Sequence, residues 1–405
     1  MNKKGNLTIG RVVLGLLTFM GLGAWVFQLA HGLGVTGMNN VVSWGLYIAM
    51  FMLFVGLSAG GLIVSSSATV FNIPSFKVVA KPAVILSTVC IIIAGVFIIV
   101  DIGSPWRIFN LILHPQFQSP LMWDVVVISL YLALNLVYLY FMSRSEPDER
   151  KLKIISRIAL PTAVLVHSVT AWIFGLQIAR AGWHSALMAP LFVASALDSG
   201  LALLIIALLA LDKLKMFKVE KKLIGTLAGL LVTCVAVDAF FVFSEVLTML
   251  YPGEESAMVV LREMTNGFAA PFFWAEIILG FILPFMILVF KKNRENTNCV
   301  IFASVIVILG VFCKRLWLLF SSFINPNVQG APGVTFGKFS EDIANMWSLH
   351  GSYAPTWIEL AIVIGMLSMG ALLFTYLSSR FLLERSSFIP TVGQGQEVGH
   401  DVFLD

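Results

Sequence analysis

DIGSPWRIFNLILHPQFQSPLMWD, Asp101–Asp124, joins two long apolar segments, and its reading decides how the rest of the chain is placed. Acids stand at both ends. Between them lie Arg107, His114, Trp106, Pro105, Pro115 and Pro120, with Trp123 beside the closing acid. The flanking runs, 79–102 and 121–142, are each long enough to cross a bilayer as a helix, which takes about 20 apolar residues. The stretch is therefore a short polar and aromatic connection at a membrane boundary. It reads as one wall of a pocket near the membrane surface.

Working outward, the same apolar length recurs from end to end. Hydrophobic residues make up 59% of the 405 and charged residues 12%. A soluble chain carries roughly a quarter charged residues. The expectation is an all-α polytopic membrane protein with about ten spans, at 11–32, 43–71, 79–102, 121–142, 155–180, 186–212, 222–251, 269–290, 298–323 and 355–380. A β-barrel would show short alternating segments instead. The first span lacks a clean small-residue cleavage site and reads as a retained helix. No soluble domain is expected, and the tail 386–405 is Gly-rich and polar.

The 26 Lys and Arg are unevenly shared between the two sides. Only Arg107, Arg180, Arg262 and Lys338 fall on the side of the Asp101–Asp124 connection, while Lys314 and Arg315 lie within a span. The rest lie opposite. By the positive-inside rule both termini are cytoplasmic and the aromatic connections face outward. The longest outward loop, Asn325 to Pro355, carries Trp347, His350 and Tyr353. The net charge of +4 comes from these basic loops and is no nucleic-acid signal. The lipid bilayer is the one partner that composition alone requires.

Cys90, Cys234, Cys299 and Cys313 form no CxxC pair, which argues against an iron–sulfur cluster or structural zinc in this chain. They read as small buried hydrophobes. Of the six His, only His167 lies deep in a span, so a deep bis-His haem does not fit. An outer-edge haem between His31 and a second His stays open.

Ionisable groups inside spans are costly and are candidates for function. Counting from the span ends places His167, Asp198 and Asp238 near mid-membrane, with no base at their depth to pair two acids. Glu245, Glu276, Lys314 and Arg315 form a layer nearer the outside and read as mutual ion pairs. Asp238 and Glu245 share a helix face. The inner half offers hydroxyls and amides, among them Ser65, Ser66, Thr88, Asn135 and Thr162. Protonatable groups thus run from the outer face to the midplane and then thin out, as a proton route or a set of buried pairs would. Trp44, Tyr47, Trp106, Trp123, Trp172 and Trp183 gather toward outer ends. An interfacial belt explains such a pattern. So does a stacking surface for a flat ring with two carbonyl oxygens, given Asn40 and Asp124 nearby.

Three stretches carry a family resemblance. WGLYIAMFMLFVGLSAGG resembles the first core helix of the NrfD/PsrC family of polysulfide reductase-like membrane subunits. The Asp101–Asp124 connection resembles that family's Asp-Leu-Gly-(Arg)-Pro stretch and its Ser-Pro-x-x-Trp-Asp helix opening, with Ser104 where Arg is common and Arg107 three residues on. HSVTAWIFGLQIARAGWHSALMAPLFVASALDSGLAL is similar to the family as well. The resemblance is good over Trp44 to Leu211 and topological beyond it. It implies two four-helix bundles, within 43–180 and 186–323. A peripheral first helix lies within 1–42 and a last one within 355–385, flanking an external loop at 324–354. Ten spans resemble the larger branch with DsrP-, HmcC- and QrcD-like subunits.

The resemblance also implies no redox cofactor in this chain. It implies a menaquinol or other quinol near the outer face, and a ferredoxin-like iron–sulfur subunit there. Further redox subunits would be a multihaem cytochrome c or a molybdopterin protein, in a prokaryotic cytoplasmic membrane. The expected function is a quinone-reactive subunit of a respiratory oxidoreductase complex. Asp101, Asp124 and His167 are the candidate bases for a ring hydroxyl. Asn40, Trp44, Tyr47, Arg107 and Trp123 would bind the ring, and Asp198, Asp238 and Glu245 would extend a proton route. No metal site is expected. The alternatives are an ion-coupled secondary transporter, whose paired Gly/Pro-broken spans the sequence lacks, and a pure membrane anchor.

Overall fold

The structure is a computed structural model that describes residues 3–144, 148–324 and 352–383. Trp347 and His350, most of the Asn325–Pro355 loop, Lys338 and the tail with His400 lie outside the described residues. Among the described residues, ten helices have membrane-crossing length and apolarity. They are α1 Lys3–His31, α2 Leu46–Val70, α3 Pro74–Asp101, α4 Pro120–Ser143, α5 Glu149–Gly175, α6 Met188–Lys213, α7 Lys221–Leu250, α8 Ala270–Leu288, α9 Thr297–Phe323 and α10 Trp357–Leu383. The chain is a multi-pass integral membrane protein, helical throughout its described spans.

Local chemistry sets the boundaries. Pro74 and Pro120 open α3 and α4, where a missing N–H costs nothing. Asp148 caps α5 by accepting from the Lys151 N–H at 3.1 Å. That cap makes the charged stretch after it helical, so α5 begins before the expected 155 and ends at Gly175 rather than 180. The Asp101–Asp124 connection contains two short helical turns, Pro105–Ile108 and Phe109–Leu113. A further short helix, Glu255–Asn266, lies between α7 and α8. Within α8, Glu276–Ile282 is π-helical, a form frequent at functional sites.

Around α2, α3, α4 and α5, each helix packs on the next and α5 closes back on α2. Helices α6, α7, α8 and α9 close a second ring in the same way. The rings meet where α2 touches α6 and α9, and α5 touches α6. In α2 the most apolar stretch is 94% buried against 11% in α1, which puts α2 at the centre and α1 at the edge. Helix α1 packs on α10, and α10 on α3. At the join, a Cβ on Gly60 would collide with the Gly200 backbone, so two glycines let α2 and α6 touch. One end of the molecule carries the Asp101–Asp124 connection, here the aromatic end. The other, with the Lys- and Arg-rich turns, is the basic end.

Candidate functional site

Asp101 ends α3 at the aromatic end, half-buried, and its Oδ1 has no hydrogen-bond partner among the described residues. The groups around it come from four helices. Tyr47 on α2 is fully buried and donates to Gln28 Oε1 on α1 at 2.6 Å. Gln28 in turn donates from Nε2 to the Val100 carbonyl at 3.1 Å, one residue before Asp101. Glu359 on α10 lies within electrostatic range of both Asp101 and Tyr47. Its carboxylate accepts from the Tyr353 hydroxyl at 2.6 Å and from the Gly37 and Thr356 N–H groups at 2.8 Å each. The Tyr353 oxygen accepts the Leu46 N–H at 2.8 Å, which satisfies the first turn of α2. Burial, then the Glu359 charge, pushes the Tyr353 phenol well above its ordinary value, so the hydroxyl stays a donor.

A second group sits on α4 and α5. Asp124 is buried and accepts from Thr170 Oγ1 at 2.6 Å. His167 lies three residues before Thr170 on α5, buried, with Nε2 unpartnered among the described residues. It is within electrostatic range of Arg315 on α9. The Arg315 guanidinium donates to Ser195 Oγ at 2.7 Å and lies 4.2 Å from the Phe192 ring centroid, while its Nε and Nη1 have no partner among the described residues.

The third group corrects the layering read from the sequence. Lys314 Nζ is 2.7 Å from Asp238 Oδ1 and 3.5 Å from Glu276 Oε1, all three side chains fully buried. A base therefore does lie at the depth of Asp238. Trp317 Nε1 donates to the other Glu276 oxygen. Asp198, on α6, accepts from its neighbour Ser199 and lies within electrostatic range of Asp238, its Oδ2 unpartnered among the described residues. Glu245 forms no ion pair with Lys314 or Arg315; it accepts from Ser185 Oγ at 2.7 Å.

The remaining candidates divide. Trp44 is half-buried in an aromatic box, stacked on Trp183 with centroids 6.2 Å apart and edge-on to Phe174 and Phe323. Arg180 closes the box: it lies 5.0 Å from the Phe323 centroid and donates to the Ser322 carbonyl at 2.7 Å. Trp123, Arg107 and Asn40 stand on the exterior, and Trp123 donates to the Phe117 carbonyl at 2.6 Å. The structure thus brings Tyr47 within electrostatic range of Asp101, while Asp124 is held by Thr170, three residues along α5 from His167. It does not bring Arg107, Trp123 or Asn40 into either buried group.

The family model described as polysulphide reductase, NrfD, matches residues 34–327. The chain belongs to the NrfD family. Among curated relatives, one from Halobacterium salinarum is named as a membrane subunit of dimethyl sulfoxide reductase. It is 37% identical over 391 residues, covering 90% of each chain. The Hdr-like menaquinol oxidoreductase integral membrane subunit of Archaeoglobus fulgidus is 31% identical over 368 residues, again 90% of each. A relative from Wolinella succinogenes, named as one of the chains of polysulfide reductase, is 24% identical over 307 residues, 70% of this chain and 95% of the relative. Beyond the NrfD match, which ends before α10, lie two residues of this site that the sequence reading did not assign to it: Glu359 was not singled out, and Tyr353 was named only as part of the outward loop. Tyr353 comes from the segment leading into α10 and Glu359 from its first turn. Their signal was present: Thr356 and Glu359 form a capping box, an S/T-x-x-E pattern before an apolar run.

Proposed function

We propose that this NrfD-family chain is the quinol-reactive subunit of a respiratory oxidoreductase complex. It exchanges electrons between menaquinol and a ferredoxin-like iron–sulfur subunit at the aromatic end, on the outer face of a prokaryotic cytoplasmic membrane. The observation that carries the reading is the Asp101 carboxylate. One of its oxygens is buried yet unpartnered among the described residues, in a half-buried residue at the membrane boundary. Oxidation of a quinol releases two protons with two electrons, so a base must meet a ring hydroxyl. We assign that role to Asp101 Oδ1, with Tyr47 hydrogen-bonded through Gln28 to the end of α3 beside it. A relative named for menaquinol oxidation supports the substrate class.

The proton then needs a way out. Asp124, His167 and Arg315 lead from the first helix ring to the second. There Asp198, Asp238 and Glu276 lie within electrostatic range of two cations, Lys314, which pairs with Asp238 and Glu276, and Arg315. A neutral cluster of three carboxyl groups and two bases holds one proton, and a charged interior is costly. Asp198, whose Oδ2 is buried and unpartnered among the described residues, is the place we assign to hold it.

The test is quinol-linked electron transfer by the assembled complex. Asp101→Asn and Asp124→Asn should each lower the rate by about a hundredfold or more, the scale of a lost general base, while the complex still assembles. Wild-type rates in both variants would place the quinol site elsewhere.

A further inference from the structure

At the basic end, far from the acids of the aromatic end, α5 presents Arg150, Lys153, Ile154 and Arg157 around an open recess of about 430 Å³. Their spacing of three, four and seven puts them on one helix face. All four are exposed. Among the described residues no carboxylate lies within ion-pair distance of Arg150, Lys153 or Arg157. Lys151, by contrast, points toward α4: it is 3.4 Å from Asp148 and 5.4 Å from the Phe141 ring centroid. The same face continues toward the bilayer interior as Ile158, Pro161, Val164 and Leu165, all exposed, while the buried face packs on α2, α4 and α6. Three cations without an ion pair among the described residues thus cap a strip of exposed aliphatic surface on a membrane-crossing helix.

We infer that this recess is a binding site for an anionic phospholipid, its phosphate on Arg150, Lys153 and Arg157 and its acyl chains along Ile154, Ile158, Val164 and Leu165. Charge complementarity chooses the headgroup. A zwitterionic lipid offers a phosphate too, but its own ammonium offsets the attraction to three cations. The apolar strip chooses a lipid over a free anion, because inorganic phosphate gains nothing from it. Basic recesses on membrane helices at the headgroup level recognise anionic lipids in this way.

The experiment is native mass spectrometry of the full-length chain in detergent, titrated with phosphatidylglycerol or phosphatidylcholine. Each basic residue near an anionic lipid surface is worth roughly a fivefold gain in binding. The triple variant Arg150→Gln, Lys153→Gln, Arg157→Gln should therefore lose about a hundredfold in phosphatidylglycerol affinity at its tightest site. A control that removes equal charge at the same end, Lys218→Gln, Lys221→Gln, Lys222→Gln, should keep that site. The six positions are exposed, so folding is retained in both. Equal losses in the two variants, equal affinity of the wild type for phosphatidylcholine, or displacement of the lipid by inorganic phosphate would each overturn the inference.

Discussion

Lys314 holds two carboxylates from two other helices in the middle of the membrane, and its removal would leave them facing each other. Asp238 and Glu276 would lose their shared cation at 2.7 and 3.5 Å. Breaking a buried pair from one side costs about 3–5 kcal/mol, because a charge is stranded. Lys314→Met should destabilise the chain by about that much in a denaturant titration in detergent. Adding Asp238→Leu to it should recover part of the loss, as a coupled pair does. Strictly additive losses would show that the two side chains do not depend on each other. The sequence identified all of these residues as buried candidates and paired Lys314 with Glu276, but missed the shorter pair of Lys314 with Asp238. Depth was counted from Cα positions, which set Lys314 nearer the aromatic end than Asp238. Helix side chains lean toward the N-terminus, and α9 starts at the basic end. The long lysine stem therefore carries its ammonium back toward mid-membrane, to the level of Asp238.

At the scale of elements, α10 grips the aromatic end through its first turn. Glu359 binds the Thr356 N–H of its own cap and also Gly37 and Tyr353, and Tyr353 satisfies the start of α2. Tyr353→Phe would strip a buried carboxylate oxygen and the Leu46 N–H of partners together. A loss of about 1–3 kcal/mol is expected, the cost of buried groups left unsatisfied, read as a lowered melting temperature. The pH dependence has a definite sign. A phenol whose value rises on folding stabilises fully below the ordinary tyrosine range, and the contribution fades as pH rises through the folded value. The Tyr353→Phe difference should thus be flat between about pH 6 and 9; a step in that window would show that the hydroxyl titrates there. In α8 the π-helical stretch brings Gly280 against Gly310 of α9, backbone to backbone. Gly310→Ala would push α8 off α9, moving Glu276 from Lys314, and should cost about 1–3 kcal/mol as an overpacked contact. An unchanged melting point would mean that the helices separate without strain. The spans themselves were legible, since a 20-residue apolar run has few other readings in a chain this poor in charge. The π-helical turn was not, because nothing in EIILGFI marks the extra residue per turn. The α2–α10 clamp was missed because Glu359 was not singled out among the ionisable groups, standing in the first turn of a helix expected to be peripheral.

Across the whole molecule, buried polar groups are distributed unevenly along the membrane normal, and this bears on how protons move. At the aromatic end and midplane, the ionisable set passes from Asp124 and His167 in the first ring to Arg315, Asp198, Asp238, Lys314 and Glu276 in the second. Toward the basic end the buried groups are neutral. Tyr131 donates to the Ser58 carbonyl at 3.0 Å and meets Ser87 at 2.9 Å. Ser65, Ser66 and Asn135 each keep an oxygen unpartnered among the described residues. Hydroxyl and amide oxygens do not ionise near neutral pH, so on the proposed reading the midplane acids are the groups able to store a proton taken from the aromatic end. Among the described residues, Asp198 is the acid of this midplane set that forms no ion pair with a cation within 4 Å, which makes it the one freest to change its protonation. In proteoliposomes with the whole complex, Asp198→Asn should reduce turnover-linked proton uptake or release more than it reduces binding of a quinone analogue. Equal loss of both would mean that Asp198 supports the quinol site structurally. Loss of neither would make the midplane acids packing for the interface between the two rings, which Gly60 and Gly200 already bring into backbone contact.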